Sequence, residues 1–517
     1  MINNSTEGKI LLLDNLIDKV KSLKHEGKIV VQTHGVFDLI HPGIIKHLNK
    51  SKNEGDILIV TVIKDKDVRR GPGRPIFPED YRIASVASLE QVDFVCLVDD
   101  ENPFECVQRI NPDVFAKGQA LTEHDRKTHK KLYEGKKELL FGKSRIHETD
   151  GFLFSSPIVT SGLSIINNFL DIYSDETRSF LKTFSKKYSF EEIVKKIDGL
   201  ENLKVLLIGD GIIDEYHYCE SMGKSPKAQL IVNKHLSYEV FPGGAFAIAN
   251  HIASITKEVQ LVTLLGNMDS REDFILKNLK PNVNARFFYR DNGPTVIKKR
   301  YINQYQNQKL FEINYINDEY VNSEVEEDII SYLESVITNY DLVLVSDFGH
   351  GFITNKLILA LEESSKYLAV NAQTNGANAG YNLITKYNRP NFICLDTPEA
   401  RLATQDKFSD IEHVGKKLSK SLNTDNITIT MGKQGSICFN RNGDAVKIPG
   451  FSTKVVDVIG AGDAFFSYAA PCVCMNMPMD LVSFIGNAVG ALDVQIVGNK
   501  KTVEKGELLE FIHTILK

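Results

Sequence analysis

Hydrophobic and polar residues alternate along the first part of the chain in runs that predict strands and helices in turn. Short apolar runs fit buried strands, and longer runs with one apolar face fit helices. The predicted elements are helix 10–25, strand 28–33, helix 42–53, strand 57–63, helix 79–90, strand 93–98, helix 103–110 and strand 113–116. Strands that alternate with helices predict a parallel sheet with helices on both faces.

The next segment has a different character. Residues 121–150 are polar and rich in lysine, which predicts a surface helix and loop. Residues 160–200 show a charged helical pattern without a strong strand signal, as a connector would. We therefore expect a first domain at 1–165, a helical connector at 166–200 and a second domain at 201–517.

A second series of strands and helices begins at Leu203. Its strand candidates are 259–265, 295–302, 309–316, 341–346, 366–371, 391–395, 426–431 and 435–439. The pair 295–302 and 309–316 alternates between apolar and polar residues across a polar QYQNQ, which predicts antiparallel strands of a small separate sheet. The expected fold class is α/β, with two doubly wound parallel-sheet domains.

Composition narrows the classes of function. The chain has 517 residues, more than a single hydrophobic core usually holds, and its net charge of −6 gives no bulk reason to bind nucleic acid or a membrane surface. Its seven cysteines form no CxxC pair, which favours reduced thiols. With no signal-like N-terminus and no long apolar run, we expect a cytoplasmic protein without a membrane partner.

The stretch THGVFDLIHPGIIKHL places His34 and His41 around a turn between a strand and a helix. His41 lies at the predicted start of the helix, where backbone N–H groups and the helix dipole favour phosphate. Gly35 and Gly43 allow the backbone to approach a ligand closely. The spacing alone favours an ordinary strand–helix turn with an N-capping histidine.

The motif is followed in order by GDILIVTVIKDKD, by RPIFPEDYRIASVASLEQVDFV and by NPDVFAKG. Together these blocks resemble the cytidylyltransferase-like nucleotidyltransferases, particularly the adenylyltransferase half of the bifunctional heptose-phosphate kinase/adenylyltransferases. The resemblance implies that His41 is catalytic and that nucleotide is bound by His34, Gly35, Phe37, Asp38, Gly43, Arg74, Lys117, Gly118 and Ser155. The His-x-Gly-His signature of that family ends here in Ile44, and His47 follows about one helical turn later.

The stretch VVDVIGAGDAFFS places Gly460, Ala461, Gly462 and Asp463 just before an apolar helical run. Small residues at a helix start expose consecutive N–H groups, which form an anion hole for a phosphoryl group in transfer. Asp463 at that point can take a proton from an attacking hydroxyl. Taken alone, the motif also fits a capped helix start.

Four further stretches, GDGIIDEY, FPGGAFAIANHIASI, VSDFGHG and ITMGKQGS, accompany this motif in order. The set resembles the ribokinase-like sugar kinases over residues 203–517, which implies a doubly wound sheet with a small β lid, ATP and Mg²⁺. The resemblance makes Asp463 the base and Gly460, Ala461 and Gly462 the anion hole. It assigns the substrate to Asp210, Asp214, Gly243, Gly244, Lys298 and Arg300, the nucleotide to Met431, Gly432, Gly435 and Asn487, and the metal, through water, to Asp396 and Glu399.

Two places depart from the pattern of the heptose-phosphate kinases. Asn371-Ala372-Gln373 stands where they carry Asp-Pro-Lys, which removes a fixed cation near the phosphates. Lys298, Lys299 and Arg300 either contact a distal substrate phosphate or lie on a solvated strand edge, where lysines are common.

The pairing of the two halves points to consecutive steps, although their order is reversed relative to the familiar bifunctional enzymes. The leading hypothesis is synthesis of an activated sugar by phosphorylation of a sugar or sugar phosphate, of the heptose 7-phosphate kind, and nucleotidyl transfer to the sugar 1-phosphate. The alternative is an active sugar kinase with a weak or inactive N-terminal nucleotide-binding module. A binding protein with two degraded sites ranks last. We expect a homodimer that binds small molecules and no nucleic acid.

Overall fold

The structure is a computed structural model that describes residues 6, 8–68, 70–99, 103–118, 145–149, 167, 172–376, 378–424, 426–439, 443–452 and 455–517. The chain divides into two compact units. Unit 1 comprises Met1–Ser174 and His513–Lys517, and unit 2 comprises Asp175–Ile512. Both units interleave helices with parallel strands, so the predicted α/β class is confirmed.

Unit 1 contains a parallel sheet with the strand order β3-β2-β1-β4-β5 in the part that is described. Its elements are α1 (Leu13–His25), β1 (Val30–Gly35), α2 (Pro42–Lys52), β2 (Ile57–Ile63), α3 (Glu79–Ala87), β3 (Phe94–Val98), α4 (Pro103–Ile110), β4 (Val114–Gly118) and β5 (Arg145–Thr149). The prediction of a surface helix and loop over 121–150 is wrong at 145–149, which form β5. The sequence of this edge strand, RIHET, has a single large apolar residue, too few to signal a strand.

The strand order of this sheet reverses between β1 and β4. In an open parallel sheet, such a reversal opens a crevice at the carboxyl ends of the two strands, where ligands bind. β1 ends at His34 and Gly35, and β4 ends at Lys117 and Gly118. Four residues of the predicted nucleotide site therefore lie at the point where topology alone favours a ligand.

The strands of unit 2 form two sheets. They are β6 (Val205–Gly209), β7 (Gly211–Lys224), β8 (Ile231–Gly244), β9 (Val259–Gly266), β10 (Val283–Arg290), β11 (Val296–Asn303), β12 (Gln308–Tyr315), β13 (Leu342–Asp347), β14 (Leu368–Ala372), β15 (Phe392–Asp396), β16 (Asn426–Thr430), β17 (Ser436–Phe439) and β18 (Ala445–Ile448). The main sheet has the order β10-β9-β6-β13-β14-β15-β16-β17-β18 and is parallel as far as β16. All six residues of β13 are buried, as a central parallel strand covered on both faces requires.

Helices connect and cover these strands. They are α5 (Asp175–Lys187), α6 (Phe190–Asp198), α7 (Ala245–Ile252), α8 (Glu272–Asn278), α9 (Ser323–Val336), α10 (Asn355–Ser364), α11 (Thr397–Thr404), α12 (Ile411–Leu422), α13 (Ala461–Cys474), α14 (Met479–Asp493) and α15 (Lys505–Leu516). None of the helices in the described ranges is both long enough and apolar enough to span a bilayer. The seven cysteines form no disulfide.

The second sheet of unit 2 has the order β12-β11-β7-β8, and we call it the lid. β11 and β12 pair antiparallel, so the prediction of a separate antiparallel pair is confirmed. The sequence did not reveal β8 or the full length of β7. Residues 231–238 of β8 are exposed or half-buried on both faces, so this half of the strand lacks the alternation that burial of one face imposes.

Candidate active site

A cavity of about 920 Å³ lies at the carboxyl ends of β14, β15 and β16, between the start of α13 and the lid. It is lined by these residues of the predicted kinase site: Asp214, Gly244, Lys298, Arg300, Asp396, Glu399, Met431, Gly432, Gly435, Gly460, Ala461, Gly462, Asp463 and Asn487. Asp210 and Gly243 do not line it. One concave site therefore brings together residues that lie as far apart in sequence as Asp214 and Asn487.

The start of α13 presents free backbone amides to this cavity. The first helical bond runs from the N–H of Ala464 to the carbonyl of Gly460 at 2.8 Å. The amides of Ala461 and Gly462 have no acceptor among the residues described, as expected in the first turn of a helix. Gly460 has a φ of 94°, and a Cβ there would lie 2.6 Å from Oδ1 of Asn499. A glycine is therefore required where the chain turns into the helix.

Asp463 lies in the first turn of α13, and its side chain is buried against the cavity wall. Its Oδ1 accepts a hydrogen bond from Nε2 of Gln373 at 2.5 Å. Burial raises the pKa of Asp463 to about 7, although the Gln373 bond and the charge of Lys298 oppose that rise. A carboxylate with a pKa near neutrality is suited to accept and release a proton.

Asp214 reaches the cavity from the lid strand β7. Its Oδ1 pairs with Nη1 of Arg300, and its Oδ2 accepts a hydrogen bond from Nδ2 of Asn499 at 3.2 Å. A Cβ on Gly243 would lie 2.2 Å from that Oδ2. Gly243 thus makes room for Asp214 instead of lining the cavity itself.

Asp210, which the resemblance assigns to the substrate, is buried and does not line the cavity. Its Oδ2 accepts the backbone N–H of Phe348 at 2.8 Å, which supports the turn after β13. Burial and the neighbouring Asp347 raise the pKa of Asp210 to about 7. In this structure Asp210 supports the floor beneath the site without bordering the cavity.

The three cations of the lid strand β11 alternate between its faces. Lys298 and Arg300 line the cavity, whereas Lys299 lies on the other face, 3.2 Å from Glu215. Lys298 is only 8% exposed, and burial lowers its pKa. No carboxylate of the described residues lies within 4.0 Å of its Nζ. Lys298 is therefore a buried cation in the cavity wall, not part of a solvated strand edge.

Asp396 and Glu399 form a reciprocal cap at the start of α11. The N–H of Glu399 donates to Oδ1 of Asp396 at 2.7 Å, and the N–H of Asp396 donates to Oε2 of Glu399 at 2.8 Å. Oε1 of Glu399 accepts the N–H of Thr374 at 3.0 Å, and burial raises the pKa of Glu399 to about 8. No group of three or more His, Cys, Asp or Glu side chains in the described ranges could enclose a metal ion. Asp396 lines the cavity, which fits a magnesium ion held through water.

The predicted nucleotide residues of unit 2 lie around the turn between β16 and β17 and on α14. A Cβ on Gly435 would lie 2.1 Å from the carbonyl oxygen of Ile448, so this glycine permits two backbone segments to approach. A Cβ on Gly432 would meet no atom within 4 Å. Asn487 donates from Nδ2 to the carbonyls of Ile448 and Pro449 at 3.1 and 3.2 Å. Its amide therefore shapes this wall of the cavity.

Two cavity residues, Gln373 and Asn499, have contacts that the sequence did not predict. The sequence marked Gln373 only as a departure from a family pattern, and nothing marked Asn499. Asn499 contacts Asp214 across 285 positions of sequence. Such a contact leaves no local signal, because it depends on the whole sheet being formed.

In unit 1, His41 is the N-cap of α2, and its Nδ1 accepts the N–H of Gly43 at 3.2 Å. Since Nδ1 is the acceptor, the neutral ring carries its proton on Nε2. His34 lies at the end of β1, with Nδ1 3.0 Å from Oγ1 of Thr61. Both the N-cap and the phosphate-site interpretation of His41 are compatible with this arrangement.

His47 does not take the place of the missing second histidine. Its Nε2 lies 2.8 Å from Oγ1 of Thr33, and burial lowers its pKa to about 4. Ile44, which stands at the signature position, packs against the apolar core of unit 1. Ile44 and His47 thus make contacts within unit 1, and His47 does not supply the second imidazole of the signature.

Phe37 and Asp38 lie in the loop after β1, and Arg74 lies in the loop between β2 and α3. Phe37 has a φ of 52°, and its ring lies 3.2 Å from where a Cβ on Gly35 would be. Oδ1 of Asp38 accepts the N–H groups of Ile76 and Phe77, which ties the loop after Arg74 to the motif. Nε and Nη1 of buried Arg74 have no partner in the described part of the chain. Ser155 lies outside the described residues.

Comparison with known proteins bears on both units. A family model for pfkB family carbohydrate kinases matches residues 202–505, and one described as cytidylyltransferase-like matches residues 33–160. These matches confirm the two family resemblances drawn from the sequence. The cytidylyltransferase-like match comes first along the chain.

Two curated relatives, both named Bifunctional protein HldE, differ in how much they share with this chain. The one from Trichlorobacter lovleyi is 24% identical over 310 residues, 59% of this chain and 62% of its own length. The one from Methylobacillus flagellatus is 39% identical over 117 residues, 22% of this chain and 24% of its own length. The chain thus spans less than two thirds of the length of each.

Among solved structures, the tetrameric inhibited form of phosphofructokinase-2 from Escherichia coli matches with a TM-score of 0.50 and 11% identity. The match covers 61% of this chain and 100% of that one. At this level of identity the similarity shows the fold alone.

Proposed function

Because the chain belongs to the pfkB family of carbohydrate kinases, we propose that unit 2 transfers the γ-phosphoryl group of ATP to a hydroxyl of a sugar or sugar phosphate. The observation that carries the proposal is the position of Asp463 beside the free amides of Ala461 and Gly462 in one cavity. A base and an anion hole next to each other are what phosphoryl transfer to an alcohol needs.

The reaction follows from these groups. Asp463 accepts the proton of the sugar hydroxyl, and the amides at the start of α13 stabilise the charge on the transferring group. The nucleotide lies between the β16–β17 turn and α14, with its phosphates directed to α13. Asp396 would hold Mg²⁺ through water, and Mg²⁺ supplies charge neutralisation on the phosphates when bound. The lid excludes water, which limits wasteful hydrolysis of ATP.

Lys298 and Arg300 bear on the class of substrate. Arg300 pairs with Asp214 and Glu312, whereas the buried Lys298 faces the cavity and forms no ion pair within 4.0 Å among the described residues. A phosphate carried by the sugar would compensate that charge. We therefore propose a phosphorylated sugar of the heptose 7-phosphate kind, which leaves the kinase as a sugar bisphosphate. A separate phosphatase, which hydrolyses the first phosphate with water and releases inorganic phosphate, would then give the 1-phosphate.

We propose that residues 1–165 use the sugar 1-phosphate for nucleotidyl transfer. The arrangement of His41 at the start of α2, next to the strand-order reversal, supports this role. A second candidate is a nucleotide-binding module without turnover, favoured by Ile44 packed against the core and by His47 in contact with Thr33. Release of pyrophosphate from ATP or CTP with a sugar 1-phosphate distinguishes the two, and its absence supports the second.

The kinase proposal is tested by measuring ADP formation from ATP and Mg²⁺ in the presence of heptose, hexose and pentose phosphates and the matching free sugars. Asp463→Asn serves as the control for contaminating kinases. ADP formation that depends on the sugar and is lost in Asp463→Asn supports the proposal. ADP formation that is the same without sugar overturns it.

We also propose a homodimer formed through the outer face of the lid. The rings of Tyr238, His217, Tyr301 and Phe311 stack in a row across all four strands, with centroids 5.4, 5.1 and 4.6 Å apart. Tyr238 is 59% and Phe311 49% exposed. Light scattering should give a mass of two chains for the wild type and of one chain for Phe311→Asp.

A further inference from the structure

A neutral side chain holds Asp463 from the side of the main sheet. Nε2 of Gln373 donates to Oδ1 of Asp463 at 2.5 Å and to Oδ1 of Asn371 at 2.8 Å. These two bonds use both hydrogens of the amide. No residue in the described ranges donates to Oδ2 of Asp463, and this side chain borders the cavity.

The neighbours of Gln373 decide which way its amide faces. Nδ2 of Asn371 donates to the carbonyl of Cys394 at 2.7 Å. A carbonyl only accepts, so Asn371 must turn its own oxygen toward Gln373. Gln373 then meets two acceptors and must present its NH₂ group, because a flipped amide would place its oxygen against both.

The backbone of Gln373 is fixed as well. Its N–H donates to the carbonyl of Asp347 at 2.8 Å, and its carbonyl accepts Nδ2 of Asn382 at 3.0 Å. Asn382 also donates to Oδ1 of Asp347 at 3.1 Å. The side chain that reaches Asp463 therefore starts from a position held on both sides.

We propose that Gln373 is a positioning residue for phosphoryl transfer. Together with Asn371 it forms a relay of two amides, anchored on the carbonyl of Cys394, that fixes Oδ1 of Asp463 and leaves Oδ2 to the substrate hydroxyl. The proposal rests on the role of Asp463 in the kinase reaction proposed above. It explains how this chain holds its base with a neutral side chain at position 373, where the resemblance to the heptose-phosphate kinases implies a lysine.

The relay also affects the basicity of Asp463. Burial and the charge of Asp214 raise the pKa of this group to about 7, and the Gln373 hydrogen bond and the charge of Lys298 work against that rise. Loss of the donor therefore raises the pKa further, and a carboxylate at position 373 raises it by repulsion. An ammonium group there lowers it, because a nearby cation stabilises the charged carboxylate.

The first experiment titrates Asp463 in the full-length protein labelled with ¹³C at the aspartate carboxyl carbon, and Asp463→Asn identifies the signal. Gln373→Leu and the isosteric Gln373→Glu are expected to raise the titration midpoint by about one pH unit or more. Gln373→Lys is expected to lower it. Gln405→Glu and Gln405→Lys, at an exposed position after α11, are matched controls that leave the midpoint unchanged.

The second experiment follows sugar-dependent ADP formation with heptose 7-phosphate against pH. The acid limb of kcat should move with the midpoint of each variant, while KM for ATP stays unchanged. Midpoints that are equal in wild type, Gln373→Glu and Gln373→Lys overturn the relay. If the midpoints shift as expected but the wild type shows no activity with any sugar, the contact between Gln373 and Asp463 stands and the kinase proposal fails.

Discussion

Nζ of Lys309, on the lid strand β12, lies 2.6 Å from Oδ1 of Asp457, which precedes the anion hole by three residues. The other oxygen of Asp457 accepts the hydroxyl of Tyr216 at 2.7 Å and the N–H of Gly498 at 3.0 Å. Burial by itself would raise the pKa of Asp457, but these bonds and the charge of Lys309 lower it. These contacts connect the lid to the segment that leads into the proposed phosphate site.

Lys309→Met should loosen this connection. We expect a several-fold increase in KM for the sugar and a stability loss of about 1 kcal/mol, since the pair is partly exposed. Steady-state kinetics and urea unfolding measure both. Lys356→Met, which breaks the ion pair with Glu326, is the control and should leave KM unchanged. Equal KM values for wild type and Lys309→Met would contradict a role in holding the lid.

Asp463→Asn should lower sugar-dependent kcat by about 10²–10⁴-fold, because general base catalysis contributes that much, with KM for ATP unchanged. In the wild type, kcat should fall as pH decreases below about 7, because the base becomes protonated.

The same variant should change stability in a pH-dependent way. A buried carboxyl group with a raised pKa destabilises the fold only where the unfolded chain is ionised, so the loss grows as pH rises from about 4 to 7. Asp463→Asn should therefore melt higher than wild type at pH 8 and equally at pH 4. If the two melting temperatures differ by the same amount at every pH from 4 to 8, the raised pKa of Asp463 is contradicted.

Alanine substitution of Gly460 and Gly462, the two glycines of the proposed anion hole, tests whether a phosphate binds at the start of α13. Gly460→Ala requires a left-handed φ and a Cβ 2.6 Å from Asn499, so it should cost about 2 kcal/mol or more of stability. Gly462→Ala meets no atom within 4 Å, so it should fold normally, yet its methyl group restricts the approach of a phosphate. We expect at least a tenfold loss of kcat/KM with unchanged melting temperature for Gly462→Ala. Full activity in that variant would mean that the phosphate does not reach this turn.

Lys298→Met should separate phosphorylated from free sugars. The loss of the buried cation should raise KM for heptose 7-phosphate by about 10–100-fold, corresponding to about 1.4–3 kcal/mol, and should leave KM for ATP unchanged. Lys299→Met, on the outer face of the same strand, is the control. A similar KM change for the unphosphorylated sugar would show that Lys298 acts on the lid instead of on a substrate phosphate.

His41 has two possible roles that substitution can separate. His41→Asn keeps a side chain that caps a helix, so stability should remain within about 0.5 kcal/mol, whereas His41→Ala should lose about 1 kcal/mol. If His41 also contacts phosphate, both variants should lower pyrophosphate release by about 10²-fold. Undiminished release in His41→Asn would leave the residue with a capping role alone.

Much of the fold could be predicted from the sequence because burial leaves a periodic pattern. The α/β order, the limits of β2 and the antiparallel pair β11–β12 follow from apolar runs and alternation. Residues 231–238 of β8 could not be predicted, since they are exposed or half-buried on both faces. Their strand structure depends on pairing with β7. The strand β5 could not be predicted either, because its sequence RIHET has a single large apolar residue.

The candidate site could be predicted where a motif fixes the backbone. It could be predicted less well where the orientation of a side chain depends on residues distant in sequence. Asp463 follows directly from the glycines at the start of α13. Asp210 and Asp214 lie four positions apart, yet only Asp214 lines the cavity, because Asp210 turns toward the amide of Phe348. The sequence gives no local signal for such a choice.

The pairing of β11 with β7 aligns Lys298 with Asp214, Lys299 with Glu215 and Tyr301 with His217. A slip of one residue would exchange the two faces of β11. Lys299 and Tyr301 would then turn inward, and the two cations that now face the cavity would turn outward. The proposed substrate contacts and the outer ring stack thus depend on a single strand alignment, and an insertion of one residue before β11 would impair both together.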